Sequence, residues 1–190
     1  MRPTERIKEA QRVLEAEARA IFASSKKISL NFSKCIDLII DCKGTVVISG
    51  IGKSGNIGKK ITSTLASLGT PSIFLHTSDA FHGDLGILRR DDLLICISNS
   101  GETDELVRLL NYAKRNDIKS IAITGNVNST ISKEASISLN SSVESEACPL
   151  NLAPTCSTSV TMALGDALAS ICAMERGFKE IDFARFHPSG

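Results

Sequence analysis

The sequence predicts a doubly wound α/β fold, three layers deep (α/β/α), with a five-stranded parallel sheet. Three observations carry this prediction. Apolar runs of strand length alternate with helical periodicity between residues 44 and 140, which is the pattern of successive βαβ units. The runs are almost continuously apolar, as in Leu93-Leu94-Ile95-Cys96-Ile97, and so suit strands covered on both faces. Two of them end in short loops of glycine and hydroxyl residues, Gly50-Ile51-Gly52-Lys53-Ser54-Gly55 and Ser98-Asn99-Ser100-Gly101-Glu102-Thr103. Such loops sit where parallel sheets bind ligands, at the carboxyl ends of the strands.

In chain order, residues 4–24 read as a helix with Ile7, Ala10, Leu14, Ala18 and Ile21 on one apolar face. A second helix covers about 30–42, through Phe32, Cys35, Ile36, Ile39 and Ile40. Strands follow at 44–49, 72–76, 92–97, 119–124 and 136–140, with helices at 54–68, 103–115 and 128–134. Ala153-Pro154 opens a long helix to about Met174, with Pro154 near its first turn and Gly177 closing it. Ala163, Gly165, Ala167 and Ala169 on that helix permit close packing on a neighbour. Phe186-His187-Pro188-Ser189-Gly190 reads as a turn. Length suits one domain, 1–190, made of N-terminal helices (1–42), a βα core (43–142) and a C-terminal helical segment (143–190).

Composition excludes several partners. A formal net charge of +1, 4% aromatics, no Trp and a single Tyr112 provide neither a basic field nor stacking surfaces for nucleic acid. Met1-Arg2-Pro3-Thr4-Glu5-Arg6 leads into a charged amphipathic helix, not a signal core. No uncharged apolar stretch nears the roughly 20 residues of a membrane span. The six cysteines are scattered without a Cys-x-x-Cys pair. They read as reduced and structural, and the protein as cytoplasmic with no membrane partner.

Free N–H groups and the positive dipole end of a helix favour an anion. Two such loops with matching chemistry point to one phosphate held from both sides. The first loop also fits the dinucleotide pattern G-x-G-x-x-G at Gly50, Gly52 and Gly55. The second strand, however, ends at His76-Thr77-Ser78 without the acidic residue that would hold a ribose. A Walker A loop fails as well, because Val47 stands where its first glycine belongs. Ser54, Ser98, Ser100 and Thr103, with the Gly52 backbone, are the candidate phosphate ligands. The alternative for Ser98 and Ser100 is helix capping.

Together, these loops resemble the paired signatures of the sugar isomerase (SIS) domain, a flavodoxin-like phosphosugar-binding fold. Further blocks are similar to the arabinose-5-phosphate isomerase family: Gly69-Thr70-Pro71, Ala80-Phe81-His82-Gly83-Asp84-Leu85-Gly86, Glu146-Ala147-Cys148-Pro149-Leu150-Asn151-Leu152-Ala153-Pro154-Thr155 and Phe183-Ala184-Arg185-Phe186-His187-Pro188. The resemblance runs from about residue 45 to the C-terminus. It implies interconversion of D-ribulose 5-phosphate and D-arabinose 5-phosphate through a cis-enediol, the entry to the sugar Kdo of Gram-negative surface polysaccharides. Family members often continue into a pair of CBS domains, beyond the point where this sequence stops.

The resemblance implies catalytic roles for Lys53, His82, Glu105, Glu146 and His187. Glu146, before a Cys-Pro turn, is the first choice as proton-shuttling base, and a raised pKa would suit that task near neutral pH. Glu105 lies three residues past Glu102, so on a helix the two would share a face. His82 and His187 would mediate ring opening or oxygen protonation, and His76 reads as structural. No cofactor or metal is needed, although His82 and His187 could trap an inhibitory Zn²⁺. SIS relatives imply a homo-oligomer, a tetramer, in which His82 or His187 serves a neighbouring subunit. CMP-Kdo is a candidate feedback ligand. The rival readings are a non-catalytic phosphosugar sensor and a nicotinamide-dependent oxidoreductase.

Overall fold

A computed structural model describes residues 1–188; the end of the expected terminal turn, Ser189 and Gly190, lies outside the described residues. Two helices, α1 (Pro3–Ser25) and α2 (Leu30–Asp41), precede the sheet. Alternation follows: β1 (Val46–Gly50), α3 (Gly52–Ser67), β2 (Ser72–Phe74), a single helical turn α4 (Thr77–Ala80), β3 (Leu93–Ser98) and α5 (Asp104–Arg115). Then come β4 (Lys119–Thr124), α6 (Thr130–Glu134), β5 (Ile137–Asn140), α7 (Cys156–Glu175) and α8 (Glu180–Phe186). All five strands are parallel, in the order β2-β1-β3-β4-β5. The order reverses between β1 and β3, and a crevice forms at their carboxyl ends.

Alternating residues on each strand feed two cores. Val46, Ile48, Ile95, Ile121 and Ile123 pack with α2, α3 and α7 through Phe32, Ile39, Ile61, Leu65, Val160, Leu164 and Leu168. Val47, Leu94, Cys96 and Ala122 pack with α5 and α6 through Leu106, Leu109, Leu110 and Ile131. The sheet is therefore the middle of three layers. The small stripe on α7 does pack closely, since a Cβ at Gly165 would overlap the Ile61 side chain of α3.

Several elements depart from the sequence reading. The predicted stripe of α1 faces outward: Ile7 is 59% exposed and Leu14 70%. Val13, Ala16, Glu17 and Ala20 are the partly buried side, because the smaller side of the helix can approach α7 more closely. Pro154 precedes α7 and Thr155 takes the N-cap position, so the helix begins two residues later than expected. Phe186 ends a short helix instead of opening a turn, with Asp182 accepting from the Lys179 N–H at its start. Although it carries Asp166 and Glu175, α7 is long and apolar enough to cross a membrane by length and composition. The reason is its central position: it packs against α1, α2 and α3 within the domain.

All six cysteines are unpaired. Cys35, Cys96, Cys156 and Cys172 are buried, and burial pushes the Cys35 thiol up to about 12. Cys148 is not a core residue of this kind. Its sulfur accepts the N–H groups of Leu152 and Ala153 at 3.1 and 3.0 Å. Desolvation raises that thiol's pKa, but the backbone donors outweigh it and hold the value below the ordinary one.

Candidate active site

Both glycine–hydroxyl loops lie at the switch point, one after β1 and one after β3. Each leads into a helix that lacks a side-chain N-cap hydrogen bond, at Ile51 for α3 and Thr103 for α5. Their first N–H groups are left to face the crevice. Gly52 adopts φ +60 with open space around it, so its glycine answers a backbone need and not a packing one. Gly50 and Gly55 serve proximity: a Cβ on Gly55 would stand 2.8 Å from the Gly50 carbonyl oxygen.

The hydroxyls of the second loop form a local network. Ser98 Oγ is 2.9 Å from Thr103 Oγ1 and 3.4 Å from Ser100 Oγ, and it accepts the Gly101 N–H at 3.0 Å. Ser100 Oγ accepts the Glu102 N–H at 3.2 Å. Neither serine caps α5; both hold the loop in shape while Ser100 stays exposed. Ser54 is half-buried at the start of α3. Lys53 beside it is exposed and shares a cleft with Ser54, Asn99, Pro154 and Ser157. The start of α7 is thereby joined to both loops, which sequence spacing alone does not reveal.

Glu146 is held by the same helix start. Its Oε2 accepts from Thr155 N–H at 2.8 Å, Thr155 Oγ1 at 3.1 Å and Ser157 N–H at 3.2 Å. Thr155 Oγ1 in turn accepts the Ala147 N–H at 2.8 Å, and Asn151 Oδ1 accepts the Glu146 N–H at 2.6 Å. Arg12 of α1 donates to the Ala147 carbonyl. Desolvation raises the Glu146 pKa, but the donors of Ser157 and Thr155 outweigh it and hold the carboxyl below its ordinary value. The shift runs opposite to the one that would suit a base near neutral pH, because the helix N-terminus stabilises the anion.

The other carboxylates separate by position. Glu105 is half-buried in the first turn of α5, at the crevice end of the molecule. Glu102 precedes the helix and accepts the Thr130 N–H at 2.9 Å, so the two do not share a helix face as expected. Glu144 is exposed.

The histidines also separate. His82 is exposed just past α4, whose neighbour Phe81 lies under the Arg108 guanidinium of α5. His76 borders a cleft with Lys53, Lys59 and Phe74. His187 lies at the opposite end of the molecule. It stacks on Phe183 with ring centroids 3.9 Å apart, and its Nδ1 is 2.9 Å from the Phe183 carbonyl. Phe186 next to it approaches Gly69 at the far end of α3. The 16 residues of α3 separate that end from Lys53 by about 24 Å. Within one chain His187 thus lies at the other end of α3 from Lys53. Among the described residues, no group of three or more His, Cys, Asp or Glu is arranged to hold a metal.

A family model described as the SIS domain matches residues 38–171. The chain belongs to the SIS domain family. At the curated level, this SIS chain is 50% identical over 184 residues to the probable arabinose 5-phosphate isomerase of Haemophilus influenzae, covering 97% of itself and 55% of that protein. It is equally similar to arabinose 5-phosphate isomerase KdsD of Pseudomonas aeruginosa, covering 97% and 56%. The chain thus spans about half the length of the curated relatives it matches. Among solved structures, an Escherichia coli CFT073 protein in complex with arabinose 5-phosphate superposes with a TM-score of 0.95 at 37% identity, covering 99% and 100% of the two chains. A putative sugar-phosphate isomerase of Listeria monocytogenes gives 0.96 at 33% identity, with both chains fully covered.

Sequence reasoning passed over Asn99, Thr155 and Ser157. The run of hydroxyls in Thr155-Cys156-Ser157-Thr158 at a helix start was the available signal.

Proposed function

We propose that this SIS domain is an aldose–ketose isomerase that interconverts D-ribulose 5-phosphate and D-arabinose 5-phosphate. The observation that carries the reading is that Glu146 is held by the start of α7, whose Ser157 lines one cleft with Lys53 and Ser54 of the first loop and Asn99 of the second. Supporting it are the curated relatives named for this activity, of which the chain spans about half, and the solved relative in complex with arabinose 5-phosphate.

In this mechanism the N-termini of α3 and α5, with Ser54, Ser98, Ser100, Thr103 and the Gly52 backbone, anchor the phosphate. That remote binding energy holds the reacting carbons in place. Glu146 is ionised before substrate arrives, the state a base requires. Its Oε2 is engaged by the start of α7, so Oε1 is the oxygen that moves the proton between C1 and C2. Lys53 stabilises charge on the enediol oxygen, and Glu105 supports that end of the crevice. His82 assists at the sugar oxygens. His187 acts in the crevice of a neighbouring copy, because its own crevice lies out of reach. The outward stripe of α1 and the exposed Met174 and Ile181 of α7 and α8 are the surfaces for that assembly, a homotetramer. The reaction would feed Kdo formation in the cytoplasm, with CMP-Kdo as a feedback ligand.

A coupled assay of the purified protein with arabinose 5-phosphate, with glucose 6-phosphate as counter-substrate, tests the activity. Turnover of the pentose phosphate is expected. Binding of it without turnover would return the reading to a sensor. Glu146→Gln should lose turnover while arabinose 5-phosphate still raises the Tm; full activity in that variant would remove Glu146 as the base.

A further inference from the structure

Ser157 occupies the first turn of α7 and is only 3% exposed. Its N–H is engaged by Glu146, but its hydroxyl has no hydrogen-bond partner in the protein. The hydroxyl stands near enough to favour the ionised form of Glu146 without reaching hydrogen-bond geometry. Its neighbours differ. Thr158 and Thr161 donate their hydroxyls to the carbonyls of Thr155 and Ser157, each at 2.8 Å. A buried hydroxyl without a hydrogen-bond partner is uncommon, since burial takes away its hydrogen bonds to water.

The cleft that Ser157 lines is narrow, about 30 Å³, and its walls include Lys53, Ser54 and Asn99. That is about the share of volume one water molecule takes in the liquid. It can receive one oxygen-sized group at the end of a larger ligand. The Lys53 ammonium and the N-terminal ends of α3 and α7 all favour an electron-rich oxygen there.

We propose that Ser157 is a further substrate-binding residue, whose hydroxyl donates a hydrogen bond to an oxygen of the bound sugar phosphate beside Lys53 and Glu146. The inference rests on the sugar-phosphate reading above. It also explains the orphan hydroxyl, a group that costs stability in the free protein and is satisfied on binding.

A binding role and a structural role make opposite predictions for Ser157→Ala. For a binding role, the free variant melts close to the wild-type temperature, because the hydroxyl has no protein hydrogen bond to lose. Arabinose 5-phosphate then binds about tenfold more weakly, read from the ligand dependence of Tm. Inorganic phosphate as second ligand separates two forms of the contact. Weakened phosphate binding assigns it to a phosphoryl oxygen; unchanged phosphate binding assigns it to a sugar oxygen.

A variant that melts lower and binds arabinose 5-phosphate as tightly as wild type overturns the inference, and so does equal binding at any Tm. Wild-type protein that no sugar phosphate stabilises would overturn the functional reading together with this inference. Stabilisation of wild type and variant alike overturns this inference alone.

Discussion

At the scale of single residues, Thr155 organises the proposed base, Glu146. Its N–H and hydroxyl both reach Glu146 Oε2, and its oxygen accepts the Ala147 N–H. Thr155→Val removes the hydroxyl at constant shape and leaves the Ala147 N–H unpaired. The expected cost is about 1–2 kcal/mol in denaturant unfolding, with rescue by Thr155→Ser. The acid limb of the kcat/KM profile should also move to higher pH, because one donor to the carboxylate is lost. A destabilised variant with an unmoved acid limb would restrict Thr155 to a structural role. The same geometry sets a stability trend. The Glu146 carboxyl is held below its ordinary 4.5, so its contribution is present above 4.5 and is lost as pH falls through the lower folded value. An acid titration of wild type and Glu146→Gln should show their stabilities converging in that range. How Glu146 is protonated was not legible in sequence, since it depends on Thr155 and Ser157 folding back on it.

At the scale of elements, α3 and α7 form the frame between crevice and far end. Gly165 has no room for a Cβ against Ile61. Gly165→Val should force the helices apart and cost about 1–3 kcal/mol, measured by thermal or urea unfolding. The crevice would loosen with it, raising KM. An unchanged Tm would show that α7 has slack that this packing denies. At the far end, Arg176 reinforces the frame by donating to Thr70 Oγ1 at 2.7 Å and to the Ile39 carbonyl at 3.0 Å. Strand and helix positions were readable because each rests on local periodicity. The start of α7 and the helix α8 were less so, as end contacts decide them: Thr155 caps in place of Pro154, and Asp182 bonds the Lys179 N–H.

At the scale of the whole molecule, the proposed site residues of one chain divide between its two ends. Lys53 lies at the carboxyl end of the sheet, with Glu146 held by the start of α7, and His187 follows Phe186, which approaches Gly69 at the other end. If a neighbouring copy supplies His187, inactive Glu146→Gln and inactive His187→Ala chains should recover activity when mixed and reassembled. Mixed assemblies contain some crevices with both groups intact. Activity absent from every mixture would place both residues in one subunit's site or none. Light scattering should find an assembly larger than a monomer, and a fully active monomer would reject this arrangement.

By itself the sequence determined the fold class, the sheet, the two glycine–hydroxyl loops and the family, because periodicity and contiguous motifs are local properties. Gly-x-Gly-Lys-Ser-Gly and Ser-Asn-Ser-Gly-Glu-Thr already marked where an anion would be held. Only the tertiary structure decided which face of α1 is open, that Glu102 serves α6, and that Glu146 is ionised by the start of α7. It also decided that His187 is remote from its own crevice. Each of these depends on contacts between segments far apart in the chain, and such contacts arise from packing instead of spacing.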